Sequence, residues 1–132
     1  MNFNGKILLV DDEAHIRKFV GLILKPFSNG EILEAANGEE AIAIYQRENP
    51  DLVLLDVNMP IMDGMETLRA LKKIDLDCRV IMLTSLANRK SVEDALALGA
   101  VDYIRKDTPK EEIASALAET IETCFRPEGP SP

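Results

Sequence analysis

Two segments of the sequence run from apolar residues directly into carboxylates. In LLVDDE, residues 8–13, the apolar residues are followed by Asp11 and Asp12, and in DLVLLD, residues 51–56, the apolar run ends at Asp56. Two carboxylates about 4 Å apart repel each other by roughly 4 kcal/mol at an effective dielectric constant near 20. Taken alone, a pair of aspartates after a strand caps a helix more often than it binds a metal. An exposed acidic turn and a cation site therefore both remain open.

Two further apolar segments are followed by a hydroxyl and an ammonium group. RVIMLT, residues 79–84, ends in Thr84 and is followed by Ser85, and VDYI, residues 101–104, lies just before Lys106. Each of these residues has an ordinary explanation by itself, because lysines usually lie on the surface and a threonine at a strand end is usually solvated. Whether these residues belong to one functional site depends on whether the fold brings the ends of the four segments together.

The apolar segments occur at regular intervals, and several are continuous rather than alternating. This pattern is typical of parallel strands that are covered on both faces. We predict strands at residues 6–10, 31–35, 51–56, 79–84 and 101–104. The first helix is predicted from an apolar stripe at helical spacing, formed by Ile16, Phe19, Val20, Ile23 and Leu24. The later helical patterns cover residues 38–48, 64–74, 88–98 and 109–124.

Helix-capping patterns support these helices. Asn37 and Asp63 each have a glutamate three residues later, and Thr108 is followed by Pro109 at the first helical position and a glutamate at the third. Such residues satisfy the unpaired backbone N–H groups of a first helical turn. Gly99 can end the fourth helix in a left-handed conformation.

Five alternating strand and helix patterns predict an α/β domain made of five βα units. Its sheet would be five-stranded, parallel and doubly wound, with helices on both faces. The carboxyl ends of the strands then share one edge, where ligands bind in such sheets. That edge would gather the three aspartates, Thr84 and Lys106. A divalent cation would offset the acidic repulsion, and Mg²⁺ is favoured because it takes oxygen ligands, whereas a His/Cys cluster for zinc is missing.

Composition sets further limits. The chain has 132 residues and a net charge of -8, which suits one domain and makes direct binding of nucleic acid unfavourable. No apolar run approaches the ~20 residues of a membrane span, and we expect neither a signal peptide nor a membrane contact. Cys78 and Cys124 lack a CxxC spacing, so we interpret them as reduced thiols of a cytoplasmic protein.

Four segments, LLVDDE, DLVLLDVNMPIMDGMETL, VIMLTS and GAVDYIRKD, resemble the receiver domain of two-component response regulators, of the single-domain kind found in chemotaxis and phosphorelays. The resemblance covers about residues 5 to 125 and implies a flavodoxin-like fold. It implies a receiver domain over residues 1–125, and the Pro-, Gly- and Ser-rich composition of residues 126–132 predicts a flexible tail or the start of a linker. A cytoplasmic receiver of this kind takes its phosphoryl group from a sensor histidine kinase or a histidine phosphotransferase and controls an effector protein or effector domain.

The resemblance also implies a Mg²⁺-dependent phosphoacceptor, which would be Asp56. A carboxylate is a competent nucleophile toward phosphorus, and a cation beside it would stabilise charge on the transferred group. The metal ligands that the resemblance implies are Asp11, Asp12, Asp56 and the backbone carbonyl of Asn58. Such a domain is a signalling switch that catalyses its own phosphorylation and dephosphorylation, rather than an enzyme acting on a separate substrate.

Three further residues match switching positions of the family. Thr84 would follow the phosphoryl group, Lys106 would pair with its oxygens, and Tyr103 occupies the position of an aromatic switch. Together they would change the surface formed by the fourth helix, fifth strand and fifth helix. Phosphorylation would add charge at one residue and thereby shift the balance between two conformations of this surface.

One position departs from the family pattern. The family usually has a proline after the lysine, joined to it by a cis peptide bond, and this chain has Asp107. A cis bond before a residue other than proline costs about 3–4 kcal/mol. We therefore expect a trans bond and a loop that is less firmly fixed around Lys106.

Two positions are expected to set the lifetime of the phosphorylated form. In the family, the residues two beyond the phosphoacceptor and two beyond the threonine stand over the hydrolytic water, and here they are Asn58 and Leu86. Leu86 cannot bind a water and would tend to exclude one. We predict that Leu86→Glu speeds dephosphorylation about tenfold, which corresponds to about 1.4 kcal/mol of barrier.

The first helix offers a docking surface. His15, Lys18 and Leu22 lie on the side away from its apolar stripe. An exposed helical position is the plainest explanation of His15, and single exposed leucines are common. In similar receivers this helix meets the histidine-bearing helices of the partner, so the resemblance implies that a kinase or phosphotransferase docks here.

Two alternative functions use the same fold features. A haloacid-dehalogenase-type phosphohydrolase also has an aspartate nucleophile at a strand end, but it needs Asp-x-Asp, and the third position here is Asn58. A scaffold that works without phosphorylation would not need the acidic cluster, which this chain keeps. Turnover of a phosphate ester would identify the hydrolase, and labelling of Asp56 would separate the switch from the scaffold.

Overall fold

A computed structural model describes residues 3–85 and 88–125 of the chain. Its strands form one five-stranded parallel sheet in the order β2-β1-β3-β4-β5. The strands are β1 (Ile7–Val10), β2 (Ile32–Ala35), β3 (Leu52–Leu55), β4 (Val80–Thr84) and β5 (Asp102–Arg105). The helices are α1 (Ala14–Leu24), α2 (Gly38–Glu48), α3 (Gly64–Ile74), α4 (Arg89–Ala97) and α5 (Lys110–Cys124). The predicted doubly wound α/β fold with five βα units is confirmed.

Alternate residues of the central strands point to opposite faces of the sheet, and each face carries its own apolar cluster. Leu8 and Val10 of β1 pack in the cluster that α2, α3 and α4 cover. Ile7 and Leu9 pack in the cluster that α1 and α5 cover. Burial on both faces explains why the strand segments are continuously apolar in sequence.

The predicted stripe on α1 is buried only in part. Val20, Ile23 and Leu24 are buried and Ile16 packs against the same cluster, whereas 38% of Phe19 is exposed. Phe19 lies at the edge of the stripe, where the helix surface begins to turn toward solvent. Within the described residues, no helix is both long and apolar enough to span a membrane.

The capping predictions hold for α2 and α3 and fail for α5. Asn37 Oδ1 accepts a hydrogen bond from the Glu40 N–H at 2.9 Å, and Asp63 forms a complete capping box with Glu66. The prediction for Thr108 is wrong, because α5 begins at Lys110 and Pro109 holds the N-cap position, which leaves Thr108 one residue too early. Gly99 has the expected left-handed conformation, with φ of 103°.

Both cysteines are free, as expected from their spacing. Cys78 is buried in the cluster under α2 and α3, and Cys124 is half-buried at the end of α5. Burial raises the pKa of both thiols, which disfavours their thiolate forms.

Candidate functional site

The carboxyl ends of β1 and β3 place two aspartates side by side. Val10 pairs with Leu55 in the parallel register, so Asp11 and Asp56 leave the sheet at the same level. The Asp56 N–H donates to the Val10 carbonyl at 3.0 Å. Both aspartates are buried, whereas Asp12 is exposed. The predicted gathering of these residues at one edge of the sheet is confirmed.

Lys106 joins this acidic cluster from the end of β5. Its Nζ lies 2.5 Å from Asp11 Oδ2 and 3.0 Å from Asp56 Oδ2. The ammonium group therefore offsets part of the repulsion between the two buried carboxylates. The backbone supports this position, because the Lys106 N–H donates to the Thr84 carbonyl at 2.9 Å.

Burial and pairing act in opposite directions on the charges of this cluster. Burial raises the pKa of Asp11, and hydrogen bonds from Lys106 and from the Glu13 N–H counteract only part of that rise. For Lys106, burial lowers the pKa, but the hydrogen bonds and negative charges of Asp11 and Asp56 outweigh it and raise the pKa overall. Lys106 is therefore held in its charged form at neutral pH.

The three aspartates offer a donor set that suits a divalent cation. One carboxylate oxygen from each of Asp11, Asp12 and Asp56 can be chosen so that all three lie within 4.8 Å of one another. Carboxylate oxygens are the ligands that Mg²⁺ prefers, and the exposed position of Asp12 leaves a solvent side where Mg²⁺ keeps its waters. The Asn58 N–H donates to Asp56 Oδ1 at 3.3 Å, which brings the Asn58 backbone to this cluster.

The loop after β3 is held close to Asp56 by a glycine. A Cβ atom at Gly64 would lie 2.0 Å from the Asp56 carbonyl oxygen, so only glycine lets α3 begin here. The Gly64 N–H also donates to the Val57 carbonyl at 2.8 Å. Between these anchors Ile61 has φ of 71°, an unfavourable conformation for a β-branched residue, and it is 73% exposed. Nothing in the sequence signalled this strain.

Thr84 and Tyr103 lie on the neighbouring strands β4 and β5. Thr84 is fully buried at the end of β4. Tyr103 is half-buried and packs against the apolar cluster under α2, α3 and α4. Burial raises the pKa of Tyr103, and the negative charge of Asp56 raises it further. Both residues therefore lie on the strand pair β4–β5, and β4 also pairs with β3, which is followed by Asp56.

Comparison with known proteins identifies the family. The family model for the response regulator receiver domain matches residues 7–118. The chain belongs to the response regulator receiver domain family. It is 36% identical over 116 residues to the chemotaxis protein CheY of Bacillus subtilis, covering 88% of this chain and 97% of that one. It is 39% identical over 121 residues to sporulation initiation phosphotransferase F of the same organism, covering 89% and 94%.

A solved structure supports the same assignment. CheY of Borrelia burgdorferi, in a CheX-CheY-BeF3-Mg²⁺ complex, superimposes with a TM-score of 0.82 at 30% identity, over 95% of this chain and 92% of that one. The flavodoxin-like receiver fold is therefore confirmed. The family match favours the signalling switch over the phosphohydrolase that was the alternative interpretation of the aspartates.

The receiver domain departs from its family pattern at Asp107, and the structure shows how the loop is built there. The Lys106–Asp107 peptide bond is trans, as expected, since no cis bond occurs among the described residues. Arg105 donates from Nε to Asp107 Oδ1 at 3.0 Å and from Nη2 to Asp107 Oδ2 at 2.5 Å. This ion pair was not predicted from the sequence.

Arg17, which was not among the predicted site residues, reaches the receiver site from the first turn of α1. Its Nη1 donates to the Asp11 carbonyl at 2.6 Å, and its Nε donates to Glu34 Oε1 on β2 at 2.7 Å. Only 15% of its side chain is exposed. The available signal was an arginine in the first helical turn after the aspartates, together with a glutamate on the neighbouring strand.

The structure describes the predicted docking residues but not the predicted rate-tuning residue Leu86 or the predicted tail. His15, Lys18 and Leu22 are exposed on α1, and 63% of Leu22 is accessible. This geometry permits docking, but the docking role itself stays a prediction. Leu86, the predicted rate-tuning residue, and the predicted tail at residues 126–132 lie outside the described residues.

Proposed function

We propose that this receiver domain accepts a phosphoryl group on Asp56 from a phosphohistidine of a sensor kinase or histidine phosphotransferase. The observation that carries the proposal is the Lys106 ammonium group, which contacts Asp11 and Asp56 at the end of neighbouring strands. A buried nucleophile beside a fixed cation is suited to a reaction in which negative charge must be stabilised on the transferred group. The family match supports this role.

The chemistry follows from these groups. A carboxylate oxygen of Asp56 forms a bond to phosphorus as the bond from phosphorus to the donor's imidazole nitrogen breaks, and the imidazole keeps the electron pair. Lys106 stabilises charge on the phosphoryl oxygens. Mg²⁺, held by the three aspartates and the Asn58 carbonyl, would supply further charge stabilisation. The domain would thus catalyse its own phosphorylation and dephosphorylation.

Substitution of Asp56 tests the assignment directly. We expect Asp56→Asn to abolish labelling by radioactive acetyl phosphate, because the amide is not a nucleophile toward phosphorus. Intact-protein mass spectrometry would check the result, and Asp77→Asn, at an exposed turn position away from the cluster, is the matched control. Undiminished labelling of the Asp56 variant, mapped to a different residue, would show that the assignment is wrong.

We place the docking of the phosphodonor on α1, at His15, Lys18 and Leu22. These side chains are exposed, and an exposed leucine can contribute an apolar contact to a partner helix. Leu22→Glu should slow phosphotransfer from the cognate kinase without slowing labelling by acetyl phosphate. Equal slowing of both reactions would instead indicate damaged folding.

The output of the domain would be a changed surface on α4, β5 and α5, read by an effector protein or an attached effector domain. Thr84 and Tyr103 would link this surface to Asp56, since both lie on strands next to the cluster. The receiver would comprise residues 1–125 and act in the cytoplasm. Its net charge of -8 supports an output through protein partners rather than through direct contact with nucleic acid.

A further inference from the structure

The two residues on either side of Lys106 are joined by a bidentate ion pair. Arg105 is the last residue of β5, and Asp107 lies in the turn that follows. Both carboxylate oxygens of Asp107 accept hydrogen bonds from Arg105, at 3.0 and 2.5 Å. A planar guanidinium group and a carboxylate joined in this way have a defined mutual orientation. The pair therefore closes a small ring that consists of the two side chains and the backbone of residues 105–107.

Lys106 needs such support because its ammonium group stands at the end of a flexible four-carbon stem. Its Nζ must reach both Asp11 and Asp56, and it does so at 2.5 and 3.0 Å. The backbone holds the residue through the Lys106 N–H, which donates to Thr84, and through the turn bond from the Thr108 N–H to the Arg105 carbonyl at 3.2 Å. The Arg105–Asp107 pair spans the same turn and adds a side-chain constraint to these two bonds.

We propose that Arg105 and Asp107 are positioning residues that hold Lys106 over Asp56 during phosphoryl transfer. The inference rests on the proposed function of Asp56 and extends it to two residues that, among the described contacts, pair with each other and not with the three aspartates. Because 58% and 64% of the two side chains are exposed, the effect is modest and is reduced by salt.

A double-mutant cycle tests the proposal. Arg105→Met and Asp107→Asn should each slow labelling by acetyl phosphate at saturating Mg²⁺ about fourfold, the factor that about 0.8 kcal/mol of barrier produces. The double variant should be no slower than either single variant, because both remove the same interaction. The exchanged pair, Arg105→Asp with Asp107→Arg, should recover part of the rate.

The direction in which each single substitution changes the labelling rate distinguishes positioning of Lys106 from a simple charge effect. If the two residues act only through their charges, loss of Arg105 should slow the reaction with anionic acetyl phosphate, whereas loss of Asp107 should speed it. Positioning predicts that both substitutions slow it. A faster Asp107→Asn variant, or additive effects in the double variant, would overturn the proposal.

Two controls exclude a general loosening of the structure. Mg²⁺ affinity, measured by titration of the protein without phosphodonor, should not fall in the variants, because the carboxylate ligands remain and a displaced Lys106 competes less with the metal for them. Arg89→Met with Glu93→Gln removes another exposed ion pair, on α4, and should leave the rate unchanged. A fall in Mg²⁺ affinity parallel to the fall in rate would contradict positioning of Lys106. If the parent protein is not labelled on Asp56, the proposed function fails, whereas parental rates in both single variants reject only the positioning role.

Discussion

Asp12 differs from the other two aspartates of the acidic cluster in both exposure and pairing. Asp11 and Asp56 are buried and share the Lys106 ammonium group, whereas Asp12 is exposed. Among the ion pairs of the described residues, none involves Asp12. Lys106 therefore does not neutralise the charge of Asp12, and a metal ion could do so. The exposed position of Asp12 also suits a partly hydrated Mg²⁺.

This difference predicts how Mg²⁺ affects stability. In the parent protein, Mg²⁺ at about 100 times its Kd should stabilise the fold by about 2.7 kcal/mol, because the unfolded chain has no such site. Asp12→Ala should remove that stabilisation and raise the metal-free stability slightly, since it relieves repulsion. Thermal unfolding with and without Mg²⁺ measures both effects, and Asp77→Ala serves as the control. Equal sensitivity of the parent and the Asp12 variant to Mg²⁺ would refute the assignment.

At the scale of elements, α1 contributes to the site through its buried inner side as well as through its exposed surface. Arg17 joins the Asp11 carbonyl to Glu34 of β2, so one side chain connects α1, the end of β1 and the neighbouring strand. The peptide that it binds links the two aspartates of LLVDDE. Groups that orient metal ligands from behind commonly change metal affinity when they are removed.

We therefore predict that Arg17→Met weakens Mg²⁺ binding about tenfold, within the usual range for residues that support metal ligands. It should also cost about 2 kcal/mol in the free energy of unfolding, because hydrogen bonds of a charged group are lost at a largely buried position. Mg²⁺ titration and denaturant unfolding measure the two effects. Arg47→Met, on the exposed face of α2, should change neither, and parental Mg²⁺ affinity in Arg17→Met would reject the role.

At the scale of the whole molecule, the sheet carries the site at one edge and separates two apolar clusters. Tyr103 packs against the cluster on the α2–α4 side, and the negative charge of Asp56 contributes, after burial, to its raised pKa. Thr84 lies on β4, which pairs directly with β5, two residues beyond Met82, the register partner of Tyr103. A change of charge on Asp56 can therefore reach the surface of α4, β5 and α5 through two neighbouring strands without unfolding either cluster.

This arrangement predicts separate effects on phosphorylation and on output. Thr84→Ala should still accept phosphate from acetyl phosphate, because Asp56 and Lys106 remain. It should transmit the change poorly, which NMR would detect as smaller shift changes on α4, β5 and α5 upon phosphorylation. Gln46→Ala, at an exposed position of α2 and outside this surface, is the control. Identical shift changes in the parent and Thr84→Ala proteins would disprove the coupling.

Local sequence patterns were sufficient where a structure depends on residues close together in the chain. The bounds of α2 and α3 agree with the predicted ranges, because their caps at Asn37 and Asp63 act over three residues. The prediction failed at Thr108, where a shift of one residue in the helix start was enough to remove the cap. Phe19 was placed in the buried stripe, although its exposure depends on what packs against α1.

The sequence alone determined that the strands are parallel, that three aspartates, Thr84 and Lys106 lie at one edge of the sheet, and that Asp56 is the candidate phosphoacceptor. Only the tertiary structure decided how these groups are joined. Lys106 and Asp56 are 50 residues apart in the chain. Their contact depends on the order and register of the strands in the sheet, because Asp56 follows β3 and Lys106 follows β5. The contacts of Arg17 with Asp11 and Glu34 have the same origin. Arg105 and Asp107 are close in sequence, but their pairing follows from a trans turn whose conformation is set by β4 and β5.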